Sequence, residues 1–237
     1  MQIAVISDLH LGSGGKADLF GHEDDRFLQF LNHLEGNFEK VVLLGDVWET
    51  LTGHYPGAAR AALKAARAAH PEIARRFEQK NYHYVHGNHD FVAGAAEQVP
   101  DELLIEEGGV RLWFTHGHQG DPLVQYARWV SELGVWLGGM MRRLHLDFLY
   151  QAFDSLDLLR ETTMLESGGE ACRIQSWAVA GARAREADVV ITGHTHVPKR
   201  EEHGAQLFLN SGSCSGGRFS FLAMDTRAAQ YSCQTQW

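Results

Sequence analysis

The chain has 237 residues, enough to bury a sizeable core, and its 44% hydrophobic and 22% charged content excludes a disordered chain, leaving one large domain or one domain with an insertion. A formal charge of −9, from 21 Lys and Arg against 30 Asp and Glu, argues against a broad footprint for nucleic acid. Cys172, Cys214 and Cys233 are odd in number, widely spaced and without a CxxC pair, so neither a disulfide framework nor a thiolate zinc site is indicated, which suits a reducing cytoplasm.

In chain order, the opening "MQIAVISDLH" lacks a basic leader or cleavage site and reads as a first strand over residues 2–6 rather than as a signal peptide. Acidic Glu23 to Asp25 then start a helix in which Phe27, Phe30, Leu31 and Leu34 recur at helical spacing. A strand at 40–44 precedes an Ala-rich helix over 58–69 that Pro71 ends or restarts, and further strands are predicted at 82–86 and 111–115. Residues 120–186 contain no good strand. There Trp129, Leu133, Trp136, Leu137, Met140 and Leu144 fall at steps of three and four, and a Gly168-Gly169 break precedes a second helix over 170–186. This segment is predicted to be a helical cap inserted in a single 1–237 domain, its stripe either packed on the parent domain or lining a substrate lid. It is too short in apolar residues to span a bilayer, which takes about 20. Strands at 188–192, 206–209 and 219–224 complete an alternation of strands and helices that implies a layered α/β domain.

The polar chemistry collects where strands end. "ISDLH" supplies Asp8 and His10, "LLGDVWE" supplies Asp46, "VHGNHD" supplies Asn88, His89 and Asp90, "FTHGH" supplies His116 and His118, and "ITGHTH" supplies His194 and His196. In layered α/β sheets ligands bind beyond the carboxyl ends of strands, so these groups can converge from distant parts of the chain. Imidazoles, carboxylates and an amide oxygen without thiolates suit a pair of manganese, iron or zinc ions. Two such ions about 3.5–4 Å apart can hold a hydroxide and clamp both oxygens of an in-line phosphoryl displacement, so phosphate-ester hydrolysis is the expected use. Gly45, Gly87, Gly117 and Gly193 adjoin the candidate ligands, where close backbone approach needs a residue without Cβ.

The series "DLH", "GD", "GNHD", "HGH" and "GHTH", with "NSGS" at Asn210 to Ser213, resembles the motifs of the calcineurin-like metallophosphoesterases over nearly the whole chain. The resemblance implies a layered β-sandwich of mixed sheets flanked by helices. It also implies one metal held by Asp8, His10, Asp46 and His196, and a second held by Asp46, Asn88, His116 and His194, with Asp46 as the bridge. His89 would face the phosphoryl group as cation or proton donor, oriented by Asp90, while His118 would touch substrate or support His116. "GDVWE" and "GNHDF" look like the branch containing UDP-2,3-diacylglucosamine hydrolases, in which a helical insertion at the same place shelters acyl chains. The chain departs from that branch at His89, where Arg is usual, and at His118, where Asp is usual. Arg142 and Arg143 would meet a phosphate or an anionic membrane surface; His22, His54 and His203 match no motif and are expected on the surface. The resulting expectation is a manganese-dependent hydrolase of phosphodiester or pyrophosphate bonds acting on a small molecule or lipid nucleotide, cytoplasmic or peripheral to a membrane. A phosphomonoesterase or protein phosphatase, and last a non-catalytic scaffold, are the alternatives.

Overall fold

A computed structural model describes residues 1–146, 170–235 and 237. Residues 147–169, which include part of the expected cap and its Gly168-Gly169 break, lie outside the described residues. Strands β1 (Gln2–Ile6), β2 (Lys40–Leu44) and β3 (Tyr82–Val85) run parallel, β9 (Phe221–Asp225) adds antiparallel to β1, and β10 (Gln230–Gln234) adds antiparallel to β9, giving the order β10-β9-β1-β2-β3. The second sheet, β4-β5-β6-β8-β7, has a parallel centre of β5 (Val110–Thr115), β6 (Val189–Thr192) and β8 (Gln206–Asn210). Its antiparallel margins are β4 (Glu102–Glu107) and β7 (Lys199–His203).

Alternation along the strands assigns each side chain to a layer. In β1, Ile3 and Val5 point into an apolar layer shared with Val42, Leu44, Phe114, Ile191 and Leu209, so the two sheets pack face to face through it. Ala4 and Ile6 point the other way, onto Phe27, Phe30, Leu31 and Leu34 of α1 (Asp24–Asn37), with α2 (Ala59–Ala69), α3 (Pro71–Phe77) and α4 (Phe91–Glu97) on the same side. The outer face of the second sheet, Trp113, Val190 and Phe208, is covered by Ala178, Val179 and Ala182 of α6 (Glu170–Ala184). Two mixed sheets flanked by helices are therefore the architecture. The helix carrying the expected stripe is α5 (Pro122–Arg143), with non-helical backbone at Ala127.

The strands that hydropathy missed, β4, β7 and β10, are all sheet margins. "ELLIEE" and "KREEH" carry charges that keep an edge soluble and hide it from a hydrophobic search. The turn before β5 was nevertheless readable: Gly108 and Gly109 both have positive φ, the two-residue hairpin connection that Gly-Gly favours. His22, expected on the surface, is half-buried among Phe20, Phe27 and Phe219, and its Nε2 bonds the Cys214 carbonyl at 3.2 Å. Among the described residues no helix is long and apolar enough to cross a membrane.

Phe114 is fully buried between the sheets. Phe114→Ala is expected to lower unfolding free energy by about 3–5 kcal/mol, the usual cost of truncating a core Phe. Urea denaturation monitored by circular dichroism measures it, and a loss below about 1 kcal/mol would mean that the inter-sheet layer is loosely packed.

Candidate metal centre

The parallel strands of both sheets end at the same edge, and the turns that follow are bonded to one another. Asp8 N donates to Gly45 O (3.1 Å), His10 N to Asp46 O (2.9 Å) and Gly193 N to His116 O (3.0 Å). The His116 ring crosses between the sheets, its Nδ1 donating to Leu44 O at 2.8 Å. Asp8, His10, Asp46, His194 and His196 all adopt left-handed backbone, with φ between 50° and 67°. Such conformations cost of order 1–3 kcal/mol each in residues with a Cβ and persist where the surroundings enforce them, most often at functional sites. Gly45, with φ 81°, is required by the crossing ring, because a Cβ there would run into His116; a Cβ at Gly87 would collide with Asp46.

These turns bring seven expected residues to one place. Asp8, His10 and His196 offer three ligand atoms within 4.8 Å of one another, and Asp46, His116 and His194 offer a second such set. The sets adjoin: His116 Nε2 lies 3.2 Å from Asp46 Oδ2 and 3.9 Å from Asp8 Oδ1, and His196 Nε2 lies 3.2 Å from Asp8 Oδ1. One oxygen of each aspartate is already used. Asp8 Oδ2 accepts from the Ser7 hydroxyl and from His194 N, and Asp46 Oδ1 accepts from His89 N at 2.8 Å. The atoms left over, Asp8 Oδ1, both His10 nitrogens, His116 Nε2 and Asn88 Oδ1, are buried without a hydrogen-bond partner. Native interiors rarely leave so many polar atoms without a hydrogen bond in one spot, and potential ligand atoms that converge on a common space fit a divalent cation once His116 has given up its proton. The donor set of imidazole, carboxylate and amide oxygen, without thiolate, fits Mn, Fe or Zn.

Electrostatics reinforce this geometry. Burial alone would raise the Asp8 and Asp46 carboxyls, but the surrounding histidines outweigh it: His196 and His116 lower Asp8, while His116 and His89 hold Asp46 well below the usual range. Burial disfavours a charged His116, yet Asp46 and Asp8 lift its pKa to about 9.

Two carboxylates that shape the site were not assigned from the sequence. Glu49, fully buried, accepts from Leu51 N (2.8 Å) and Thr52 N (3.3 Å) on Oε1, which leaves Oε2 to His89 Nδ1 (2.7 Å) and, at 3.4 Å, His10 Nδ1. Burial opposes the charge on His89, but Glu49 and Asp46 raise its pKa to about 10. The orienting role expected of Asp90 is thus filled by Glu49. Asp90 is consumed as a backbone clamp, accepting from Val47 N (2.7 Å), Gly87 N (2.6 Å) and the Tyr84 hydroxyl (2.5 Å). The second unassigned carboxylate is Asp121, whose Oδ2 takes His194 Nε2 at 3.0 Å and leaves Nδ1 as the ring's remaining ligand atom. Its Oδ1 caps α5 by accepting from Leu123 N at 2.8 Å, so "DP" at the helix start was the available signal.

His118 is buried 5.6 Å from the His116 ring, and burial with the charges of His116 and His194 pushes its pKa down to about 2, so it sits there as a neutral ring. It lines a pocket of about 260 Å³ together with Asn88 and Phe91. Arg142 and Arg143 do not gather at the metal-capable cluster. Arg142 Nη2 reaches Asp18 O (3.4 Å), and Arg143 bonds the Gly53 carbonyl (3.0 Å) and the Thr52 carbonyl, docking the end of α5 on the loop after β2. Between α5 and that loop lies a cleft of about 650 Å³ lined by Thr50, Leu51, Asn88, Phe91, Trp129 and Trp136 among others. Tyr126 and Trp129 remain 81% and 72% exposed, so the α5 stripe is only partly spent on packing.

Comparison with known proteins identifies the family of the chain. The model of the calcineurin-like phosphoesterase superfamily domain matches residues 1–135 and 150–228. The chain belongs to that superfamily. Among solved structures it is similar to a predicted phosphoesterase from Streptococcus pneumoniae TIGR4 (19% identity, TM-score 0.46, 99% of this chain and 97% of that one). It is also similar to Vps29 from Entamoeba histolytica complexed with zinc (18%, 0.49, 99% and 97%) and to an archaeal phosphodiesterase (17%, 0.47, 99% and 99%). A search of curated proteins returns no match. In this calcineurin-like phosphoesterase chain, both histidine-carboxylate sets lie within the family match.

Cation binding should compete with protons. Because Asp46 and Asp8 raise His116 above its ordinary value, it is protonated at neutral pH and must lose that proton to ligate. Divalent-ion affinity should therefore rise from pH 6 to pH 8, with proton release. Calorimetry in two buffers of different ionisation enthalpy checks this, and equal heats in both would contradict it.

Proposed function

We propose that the chain is a dinuclear-metal phosphoesterase that hydrolyses a phosphodiester or pyrophosphate bond. The observation that carries this reading is the pair of adjoining ligand sets, Asp8–His10–His196 and Asp46–His116–His194, which meet at buried Asp8, Asp46 and His116 and include ligand atoms without a hydrogen-bond partner. Asp8, His10 and His196 would hold one ion and Asn88, His116 and His194 the other, with Asp46 reaching both. Manganese is the ion we favour, and the same donors accept iron or zinc. Bound ions there would supply positive charge to a phosphoryl oxygen and acidify a water.

The remaining work falls to the chain's own groups. His89, held by Glu49 at 2.7 Å and protonated at neutral pH by its carboxylate neighbours, would donate a proton to the departing oxygen. Asp90, through its bonds to the turns after β2 and β3, keeps Asp46 and His89 in register. Asp121 fixes the ring of His194, and Ser7 fixes one oxygen of Asp8.

The cleft beneath α5 and the exposed aromatic residues of that helix favour an amphiphilic substrate, and a lipid nucleotide of the UDP-diacylglucosamine kind is the finer reading. Such a substrate would place the protein at the cytoplasmic side of a membrane, touching it through the cap. His118 would contact the substrate as a neutral ring at the pocket beside Asn88. The same metal core serves phosphomonoesterases and protein phosphatases, so the substrate must be measured.

With manganese, cleavage of bis(4-nitrophenyl) phosphate is expected to exceed that of 4-nitrophenyl phosphate. Asp46→Asn should abolish both activities. On a phenyl diester, whose leaving oxygen needs the proton, His89→Asn should lower kcat about 10²- to 10⁴-fold, the range for a lost acid catalyst, while elemental analysis still finds two ions per chain. Faster monoester cleavage would transfer the chain to the monoesterase reading, and an emptied site in His89→Asn would remove the assigned role of that ring.

A further inference from the structure

Glu49 N is bonded to Leu11 O at 2.8 Å, but the loop that follows Glu49 is not held by the sheet that precedes it. After β2 the chain runs through residues 51–58 without regular structure, with Tyr55 64% exposed, before α2 begins. A loop of this kind is ordinarily among the most mobile parts of a domain. Yet Leu51 N and Thr52 N set the Glu49 carboxylate, and Thr50 bonds the His89 carbonyl through both its N and its hydroxyl. Something must keep Leu51 and Thr52 in place.

The carbonyls of the next two residues are bonded by the cap helix. Trp136 Nε1 donates to Gly53 O at 3.1 Å, Arg143 Nη1 donates to the same oxygen at 3.0 Å, and Arg143 Nη2 donates to Thr52 O. Trp136 and Arg143 are seven residues apart, two turns of α5, so they grip the loop from one face of the helix. Between them, Gly138 and Gly139 are the buried residues of α5, and a Cβ on Gly139 would stand 2.9 Å from the Thr52 Cγ2. Glycine in a helix interior costs roughly 0.5–1 kcal/mol relative to alanine, so Gly139 trades helix stability for contact with the loop.

We propose that Trp136 and Arg143 are positioning residues: by pinning the Thr52–Gly53 carbonyls to the cap they fix Glu49, and through Glu49 they fix His89 for proton donation. The inference rests on the phosphoesterase reading for its catalytic consequence, but the mechanical link is independent of it. Trp136 also lines the cleft beneath α5, and a phenylalanine in its place keeps an aromatic wall there while removing the N–H donor. The consequence is that the cap takes part in the chemistry as well as in enclosing a substrate.

The test uses the full chain with manganese and compares wild type, Trp136→Phe, which keeps the ring but loses the donor, and Arg143→Met, which keeps the stem but loses the guanidinium. Each is assayed on aryl phosphodiesters with leaving groups from nitrophenol to phenol. Both variants should retain two ions per chain and an unchanged KM, while kcat falls about 10- to 100-fold on the phenol ester, the range for losing a group that orients another. The loss should be smaller on the nitrophenol ester, whose leaving oxygen needs less protonation. Combining either with Glu49→Gln should add nothing further. A raised KM with unchanged kcat, equal losses on all leaving groups, or additivity with Glu49→Gln would overturn the proposal.

A second readout needs no activity. The hydrogen-bonded His89 Nδ1 proton should give a downfield imidazole signal that vanishes in His89→Gln and weakens in Trp136→Phe and Arg143→Met. If wild type hydrolyses no phosphoester while this signal still responds, the phosphoesterase reading fails and the link stands. If the signal is indifferent to both cap variants, the link fails whatever the activity.

Discussion

Face-to-face packing of the two sheets, with the carboxyl ends of β1, β2, β3, β5 and β6 at a common edge, is the constraint on which the site depends. Each ligand-bearing turn is only a few residues long, so its position follows from the strand before it. The strands in turn are fixed by the shared layer of Ile3, Val5, Val42, Leu44, Phe114 and Ile191. His116 makes the dependence explicit: its ring leaves one sheet and bonds Leu44 O in the other. A shift of one sheet against the other would separate His116 from Asp46, which lie 3.2 Å apart. The apolar layer therefore acts on function through geometry, although none of its side chains carries any chemistry.

The same packing buries charge, and the arrangement tolerates this only because opposite charges are interleaved. Asp8, Asp46, Glu49 and Asp90 are all buried, and the first three have histidine nitrogens within 4 Å. Asp90 has none so placed, and its carboxyl is raised by burial and by the charge on Asp46. It is held instead by backbone N–H groups and the Tyr84 hydroxyl. The division of labour is physical: carboxylates beside histidines stay ionised and available to cations, while the one without such a partner is used for structure.

Much of this was legible in the sequence because it is written locally. A β-branched run ending in a glycine and a polar pair announces a strand end, and five such ends in one chain are enough to predict convergence. The three missed strands lie at sheet margins, where charged outward faces erase the hydrophobic signal. The exchange of roles between Asp90 and Glu49 has a different cause. Asp90 is adjacent to His89 in sequence, but neighbouring side chains on a tight turn diverge, and Asp90 turns back under Gly87 N while Glu49 arrives from another loop. The resemblance implied that Asp90 orients His89, whereas the hydrogen bond to the ring comes from Glu49. Arg143, expected to meet an anion, bonds backbone carbonyls of the loop after β2 in this structure.

Helix α5 shows how an element outside the two sheets can become part of a site it did not build. The two sheets alone position Asp8, His10, Asp46, His116, His194 and His196, since every turn involved follows a strand of one sheet or the other. Glu49 belongs to that frame only through its main chain, and its carboxylate is aimed by a loop whose carbonyls are bonded from α5. Asp121 repeats the pattern from the other end of the helix: one oxygen caps α5 and the other holds His194. A single helix thus touches the cluster at both ends, through Asp121 at its start and through Trp136 and Arg143 near its close. The non-helical backbone at Ala127 divides α5 between these two anchorages, so its Asp121 end bears on His194 and its Trp136–Arg143 end on the loop that aims Glu49 at His89.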